Sequence, residues 1–232
     1  MMQGRKRHGL HEDFLPRRRR FAQPNPDALG DLRFRRLLDP ADWARLPVAV
    51  RARFSKRLRA GESASYDGVI TQCAMSRAGA LLAQACRLIG APLPLEVTTG
   101  LAAVVSVTED GAGGGQVWTR VYARARAFPQ VIHSAKRFAG PTGLEEHIGS
   151  GFGIALRVEA TAQGIRFVSD HYFVQAGPLR RRLPRWLAPG RLTIEHHDIG
   201  SGQFLFTLDL AHPLLGPLIR QQGLFRDRLP MP

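Results

Sequence analysis

The chain has 232 residues, 44% of them apolar, and a formal net charge of +14 at pH 7. This length can bury one sizeable core, so we expect a single domain over residues 27–232. Residues 1–60 hold 16 Lys and Arg against 6 Asp and Glu, and the remainder is close to balanced. The net charge therefore does not indicate nucleic acid binding, and nucleic acid is not expected as a partner.

The N-terminus carries the densest positive charge. Residues 5–7 and 17–20 are all Arg or Lys, and such blocks predict a disordered basic tail over residues 1–26, which could contact an anionic membrane surface. No apolar h-region of a secretory signal follows these residues, and no run reaches the roughly 18 apolar residues of a membrane span. With only Cys73 and Cys86 in the chain, we expect a cytoplasmic protein, peripheral at the membrane if the tail binds there.

Helix signals come first along the chain. Segments starting near Asp27, Asp39 and Leu46 predict short helices or turns, each beside a proline. Alternation over residues 66–73 predicts a strand.

The clearest element is a helix from Arg77 to Ile89. Its apolar residues recur at intervals of three and four, and the sequence offers Ser76 as an N-terminal cap and Gly90 as a left-handed end. One face of this helix is apolar, so another element must cover that face.

Beyond Pro94 apolar and polar residues alternate, which predicts strands. Together with residues 66–73 they number eight, the others being 97–107, 117–122, 131–138, 152–158, 165–174, 192–198 and 204–210. Short glycine-rich connections make neighbouring strands antiparallel. We predict an α+β fold: a strongly curved antiparallel sheet or partial β-barrel of about eight strands that wraps one long helix, with short helices at the N-terminal edge.

Several motifs, taken in their order along the chain, resemble a known family. They are Arg36-Leu37-Leu38 with Leu46-Pro47, Trp118-Thr119-Arg120, Gly-Leu-Glu-Glu-His-Ile-Gly at 143–149, Leu183-Pro184 with Ala188-Pro189, and Pro213-Leu214-Leu215-Gly216. Over residues 30–225 the chain resembles the bacterial family catalogued as domain of unknown function 4166. In some relatives this domain is attached to a nucleotide-binding oxidoreductase-like domain, which implies an accessory role in redox chemistry as one alternative. Relatives often carry a histidine near the position where this chain has Phe54.

Trp118, Arg120 and Tyr122 lie two residues apart and so share one face of a predicted strand. A guanidinium between two aromatic rings suits a carboxylate or phosphate held near apolar surface. The alternative is an internal ion pair with Glu146, because a buried charge must be paired.

Glu195, His196, His197 and Asp198 are the densest group of potential metal ligands. Adjacent residues on a strand point to opposite faces, so each face offers only two ligands and we predict no metal site. We predict instead that Glu195 is a polar residue of a ligand-binding site. No nucleophile and base lie together, so we predict neither catalytic residues nor a cofactor.

His171 falls on the same side of its predicted strand as Phe167 and Phe173. We interpret it either as a core histidine or as a ligand contact.

A candidate surface contact lies in the proline-rich segment that follows. Arg180, Arg181, Arg182 and Arg185 cluster beside Trp186. Arginines contact phosphates and tryptophan favours the membrane interface, so this segment could meet an anionic membrane, against the alternative of a structural loop.

An apolar inner face with few polar groups is typical of pockets for apolar molecules. We therefore predict a non-enzymatic module that binds a hydrophobic or amphipathic, lipid-like molecule between helix and sheet, near Trp118, Arg120, Tyr122, Glu146, His171 and Glu195. One alternative is an enzyme or redox-accessory domain using Arg120, Glu146 and His171, and another is a membrane-edge or scaffolding protein. A cavity of about several hundred Å³ beside the helix would favour the first.

Overall fold

Eleven antiparallel strands dominate the computed structural model, which describes residues 32–59 and 61–227. They are β1 (Ala64–Met75), β2 (Ala102–Asp110), β3 (Gly115–Tyr122), β4 (Gln130–Arg137), β5 (Leu144–Gly149), β6 (Phe152–Ala160), β7 (Gly164–Ala176), β8 (Leu179–Arg182), β9 (Arg191–Gly200), β10 (Gln203–His212) and β11 (Gly216–Asp227). The sheet order is β6-β5-β4-β3-β2-β1-β11-β10-β9-β7-β8, and pairing of β6 with β7 closes a ring of ten strands. β8 extends the sheet from β7, outside the ring.

The helices are short. They are a 3₁₀ turn (Arg35–Leu37), α1 (Pro40–Arg45), α2 (Val48–Phe54), α3 (Arg77–Ala85) and a second 3₁₀ turn (Cys86–Ile89). The predicted N-terminal cap of α3 is confirmed, since the Ser76 side chain accepts a hydrogen bond from the Gly79 N–H. Gly90 is left-handed as predicted, with φ 104°, but it ends the second 3₁₀ turn, because α3 itself ends at Ala85. No described helix combines the length and apolar character needed to cross a membrane.

The predicted α+β fold is wrong in its central feature. Helices make up only about 15% of the structure, the sheet closes into a barrel, and no long helix lies inside it. The apolar inner faces of the strands pack mainly on one another and on side chains from the ends. Only Gly79 and Ala83 of α3 are buried, while Leu81 is 74% exposed.

Three strands were missed because their sequences do not alternate cleanly. β5 contains the adjacent pair Glu145 and Glu146, β8 is arginine-rich, and β11 carries two glutamines and a glycine in its middle. In β5 both carboxylates are buried, one on each face of the strand. Two adjacent acidic residues do not give the apolar alternation that predicts a strand. This strand is recognised only once the residues that pair with the two carboxylates are known.

The N-terminal segment closes one end of the barrel, which we call the plug end. Phe34 and Phe54 pack against Phe167, with ring centroids 6.2 and 5.9 Å away. Arg53 lies over the Phe204 ring at 4.6 Å and pairs with Asp198 at 2.9 Å. The short helices predicted at the N-terminal edge are therefore present, and they close the plug end of the barrel.

α3 and its 3₁₀ turn cross the opposite end, which we call the cavity end. A Cβ on Gly79 would lie 2.0 Å from the Leu218 carbonyl oxygen of β11, so the helix starts in direct contact with that strand. Gly90, at the far end, lies against the Ile148 carbonyl of β5. β5 and β11 face each other across the ten-strand ring, so this segment spans the opening.

Two predictions from the sequence, the basic tail and the single domain, are not tested by the structure. The basic tail over residues 1–26 lies outside the described residues. All described strands belong to one sheet, while a single domain over residues 27–232 stays a prediction.

Phe34→Ala should destabilise the protein by about 3–5 kcal/mol, because Phe34 is 1% exposed and its loss leaves a cavity among the plug-end rings. The free energy of unfolding in urea, followed by circular dichroism, measures the effect. Phe128→Ala is the matched control, since Phe128 is 92% exposed and its removal should change stability by less than about 0.5 kcal/mol. Equal effects of the two substitutions would contradict a packed plug.

Candidate functional site

Four polar side chains meet inside the barrel: Arg120 from β3, Ser134 and Lys136 from β4, and Glu146 from β5. The strand register brings them together, because Lys136 pairs directly with Glu146 and Ser134 lies diagonally across from Arg120. The Lys136 Nζ donates to Glu146 Oε2 at 2.7 Å, and Arg120 Nη2 donates to Ser134 Oγ at 2.5 Å. We call these four residues the interior charge cluster.

Glu146 is the only anion of the cluster. Burial alone would raise the pKa of Glu146, but Lys136 and Arg120 outweigh it and lower the pKa to about 2. Burial lowers the pKa of Lys136, and the neighbouring Glu146 partly offsets that effect. Glu146 therefore stays ionised at every physiological pH and serves two cations.

Arg120 is the less well paired of the two cations. Its Nη2 lies 3.5 Å from Glu146 Oε1, farther than Lys136 lies from the same carboxylate. A guanidinium has five N–H donors, and Nη2 makes both of the hydrogen bonds of Arg120 to described residues. The buried Nε has no hydrogen-bond partner among them. Arg120 is only 7% exposed, so little of its guanidinium reaches bulk water.

A cavity of about 340 Å³ lies between the interior charge cluster and the cavity end. Arg120, Glu146 and Tyr172 are its polar lining residues. The other fifteen are Leu82, Cys86, Ile89, Pro92, Leu93, Ile148, Phe152, Ile154, Leu183, Leu187, Pro189, Leu192, Ile194, Leu208 and Leu210. Burial raises the pKa of Tyr172, so its phenol keeps its proton. The cavity is thus apolar over most of its wall and charged at its inner end.

The outer wall of the cavity is formed by α3 and by the connection between β8 and β9. Leu82 of α3 lines it on one side, and Leu183, Leu187 and Pro189 of the β8–β9 connection line it on another. Leu187 also has 57% of its surface exposed to solvent. Leu187 therefore belongs both to the lining of the cavity and to the surface of the protein.

Trp118 and Tyr122 share the inner face of β3 with Arg120, as predicted, but they do not enclose it. Trp118 lies on the plug-end side, and the cation over its ring is Lys136, at 5.3 Å from the centroid. Tyr122 lines a separate small space beside Pro94. The structure thus brings Arg120 and Glu146 to the cavity and leaves both aromatic residues outside it.

His171 and Glu195 lie on the outer face of the barrel. A β-bulge in β7 leaves Asp170 without a partner on β6, so Tyr172 turns inward and His171 turns outward to bind Asp170 at 2.7 Å. Glu195 binds Arg166 of the neighbouring strand. The polar set of Arg120, Glu146 and His171 considered for an enzyme is therefore not brought together.

The adjacent histidines of β9 face in opposite directions, as alternation predicts. His196 lies inside, stacked on Phe204 at 4.3 Å, and burial lowers its pKa to about 3. His197 lies outside, beside Glu195. Within residues 32–59 and 61–227, no group of three or more potential ligands could hold a metal ion.

The predicted surface residues divide into two groups. Arg180 lies 3.6 Å over the Phe173 ring and forms a two-pronged ion pair with the buried Glu145 of β5. Arg181, Arg182, Arg185 and Trp186 are exposed.

Sequence reasoning missed Lys136, Ser134 and Tyr172. Lys136 and Ser134 lie two apart on one face of β4, so alternation could have placed them beside Arg120 once the β3–β4 hairpin was recognised. Tyr172 could not have been found in this way, because the bulge at Asp170 reverses the alternation.

The sequence of the chain matches one described protein family. Residues 46–225 match the family described as Domain of unknown function (DUF4166). No curated protein and no solved structure matches the chain.

Glu146→Gln should destabilise the protein by about 3–5 kcal/mol at pH 7, because it leaves Arg120 and Lys136 buried without a counter-charge. The double variant Lys136→Met with Glu146→Gln removes one cation as well and should recover at least half of that loss. Urea unfolding of both variants measures the difference. A double variant less stable than the single one would contradict the charge imbalance.

The stabilisation from Glu146 should disappear in acid. Its folded pKa of about 2 lies below the ordinary value of 4.5, so the stabilisation is complete above pH 4.5 and declines as the pH falls toward 2. Relative to the double variant, the wild-type free energy of unfolding should fall over that range by up to about 3 kcal/mol. The titratable groups other than Glu146 and Lys136, including His196, are common to both proteins and cancel. A difference that is constant between pH 5 and 3 would contradict the prediction.

Proposed function

The chain belongs to the DUF4166 family, whose description assigns no activity, and we propose that it is a non-enzymatic module that binds one amphipathic molecule with an anionic head group. The apolar chain of the ligand occupies the cavity and its carboxylate reaches Arg120, as a fatty acid would. One observation carries the proposal: an apolar cavity of about 340 Å³ ends at a buried guanidinium with unused donors.

The volume supports a small ligand. Pockets for small molecules range from about 300 to 1,000 Å³, and the cavity of about 340 Å³ lies at the lower end of that range. This volume favours a ligand with one acyl chain over a ligand with two. Each buried CH₂ contributes about 0.8 kcal/mol, so affinity should rise about fourfold per methylene until the chain fills the cavity.

The charges at the inner end support an anionic head group. Glu146 is shared between Lys136 at 2.7 Å and Arg120 at 3.5 Å. Arginine keeps its charge in proteins, so a second carboxylate at its unused N–H groups would balance the buried charge. A neutral head group could accept a hydrogen bond there but would leave the imbalance in place.

The setting of the cysteines is compatible with the cytoplasmic location expected from the sequence. Cys73 and Cys86 are both free thiols, and Cys86 is part of the cavity wall. The compartment stays a prediction.

Arg120→Met should remove the preference for an acid over an alcohol. A fluorescent long-chain fatty acid should bind the wild-type protein, and the alcohol of the same chain length should compete about 10- to 100-fold less well, because it lacks a charge-assisted hydrogen bond. In Arg120→Met the acid should bind no better than the alcohol, because its carboxylate would be buried without a cation. Circular dichroism confirms folding, which is expected because Lys136 and Glu146 remain paired. Wild-type protein that binds both equally would contradict a head group at Arg120.

Neighbouring leucines of α3 offer a matched pair of controls. Leu82 lines the cavity, whereas Leu81 is 74% exposed. Leu82→Trp should fill the cavity and abolish binding of both acid and alcohol, while Leu81→Trp should bind both normally. Native mass spectrometry of protein from its host should show an adduct of single-chain lipid mass that is absent in Leu82→Trp. Unchanged binding in Leu82→Trp would place the ligand elsewhere.

A further inference from the structure

The surface around the cavity end differs from the rest of the protein. We define the cavity-end surface as residues 76–101, 123–129, 177–191 and 213–215, which connect strands or extend from them at this end. Twelve large apolar side chains are exposed among the described residues, and nine belong to this surface. They are Leu81, Leu88, Val97, Phe128, Leu179, Trp186, Leu187, Leu214 and Leu215.

The same surface is strongly basic. It contains nine arginines and one acidic residue, Glu96. Arg124 pairs with Glu96 and Arg180 pairs with Glu145. The other seven are exposed and form no ion pair with a described residue: Arg77, Arg87, Arg126, Arg181, Arg182, Arg185 and Arg191.

Several acidic residues lie toward the plug end, where they are engaged in ion pairs. Glu109 pairs with Arg33, and Asp198 and Asp227 pair with Arg53. Arg35, Arg36, Arg57 and Arg59 are also exposed in the plug-end segment. The cavity end therefore differs in combining unpaired arginines with most of the exposed apolar side chains, and this combination defines an orientation.

We propose that the cavity-end surface docks onto an anionic lipid bilayer. Unpaired arginines are attracted to lipid phosphates, while tryptophan and leucine side chains enter the interface and the upper acyl region. The most exposed apolar tips, Phe128, Leu88 and Leu214, lie on three separate connections. Apolar tips that project separately among arginines fit a bilayer, which yields around each of them, better than a rigid protein surface.

Docking in this orientation places the cavity beside the membrane. Leu187 lines the cavity and is also exposed, and Trp186 next to it is 79% exposed. The loop that forms the outer wall of the cavity would lie within the interface. Docking rests on the surface residues alone and does not require a ligand.

Trp186 reports docking directly. Trp43 is 6% exposed and Trp118 is half-buried, so acyl-brominated lipids should quench only Trp186. The full chain is mixed with vesicles of phosphatidylcholine and brominated phosphatidylglycerol. Emission of the wild type should be quenched on binding, and that of Trp186→Phe should not. Vesicles of phosphatidylcholine alone should bind more weakly.

Two triple variants test the charge. Arg181, Arg182 and Arg185 changed together to Gln should weaken vesicle binding roughly 100-fold at low salt, at about fivefold per arginine. Arg35, Arg36 and Arg226, exposed outside the cavity-end surface, are changed to Gln as the matched control and should have little effect. Residues 1–31 are identical in all variants, so their charge cancels.

Three results would overturn the proposal. They are bound protein whose Trp186 emission is not quenched, equal loss of affinity in the two triple variants, and binding of single-stranded RNA through the same arginines without quenching by vesicles. None of these would affect the fatty-acid titration, which is carried out without membranes, so docking and ligand binding fail independently.

Discussion

The pairing of β6 with β7 is the contact on which the rest of the structure depends, because it turns an open sheet into a ring. A ring has an interior, and residues that alternation would place on one face of a sheet then converge on a common space. The same pairing contains the bulge at Asp170, which turns Tyr172 toward the cavity and His171 away from it. Closure and bulge together decide which polar groups can meet.

Inside the ring, the burial of apolar side chains stabilises the fold, whereas the burial of charged side chains costs free energy. Removing an ion from water costs several kcal/mol even after the protein relaxes, and this barrel buries Arg120, Lys136 and Glu146 side by side. Lys136 and Glu146 satisfy one another, whereas Arg120 shares an already engaged carboxylate. The site that is electrostatically incomplete is therefore the one that borders the cavity, and for that reason we place the head group of a ligand there.

The two ends of the barrel differ in how they are closed. Phe34 and Phe54 fill the plug end with interlocked rings, and Arg53 anchors them through ion pairs. The cavity end is covered by a short helix and loops whose apolar side chains point outward as well as inward. The packed aromatic rings thus lie at one end, and the cavity and most of the exposed apolar side chains lie at the other.

The sequence by itself determined what local chemistry can determine. Alternation and capping predicted most strands, the start of α3 at Ser76, the left-handed conformation of Gly90, and the opposed faces of His196 and His197. The order of the motifs indicated the family. Only the tertiary structure decided that the sheet closes, that α3 lies across an end, and that Arg120 reaches a cavity while Trp118 does not. The physical reason is that ring closure, bulges and buried ion pairs depend on contacts between residues distant in the chain, and such contacts leave no periodic trace in either partner.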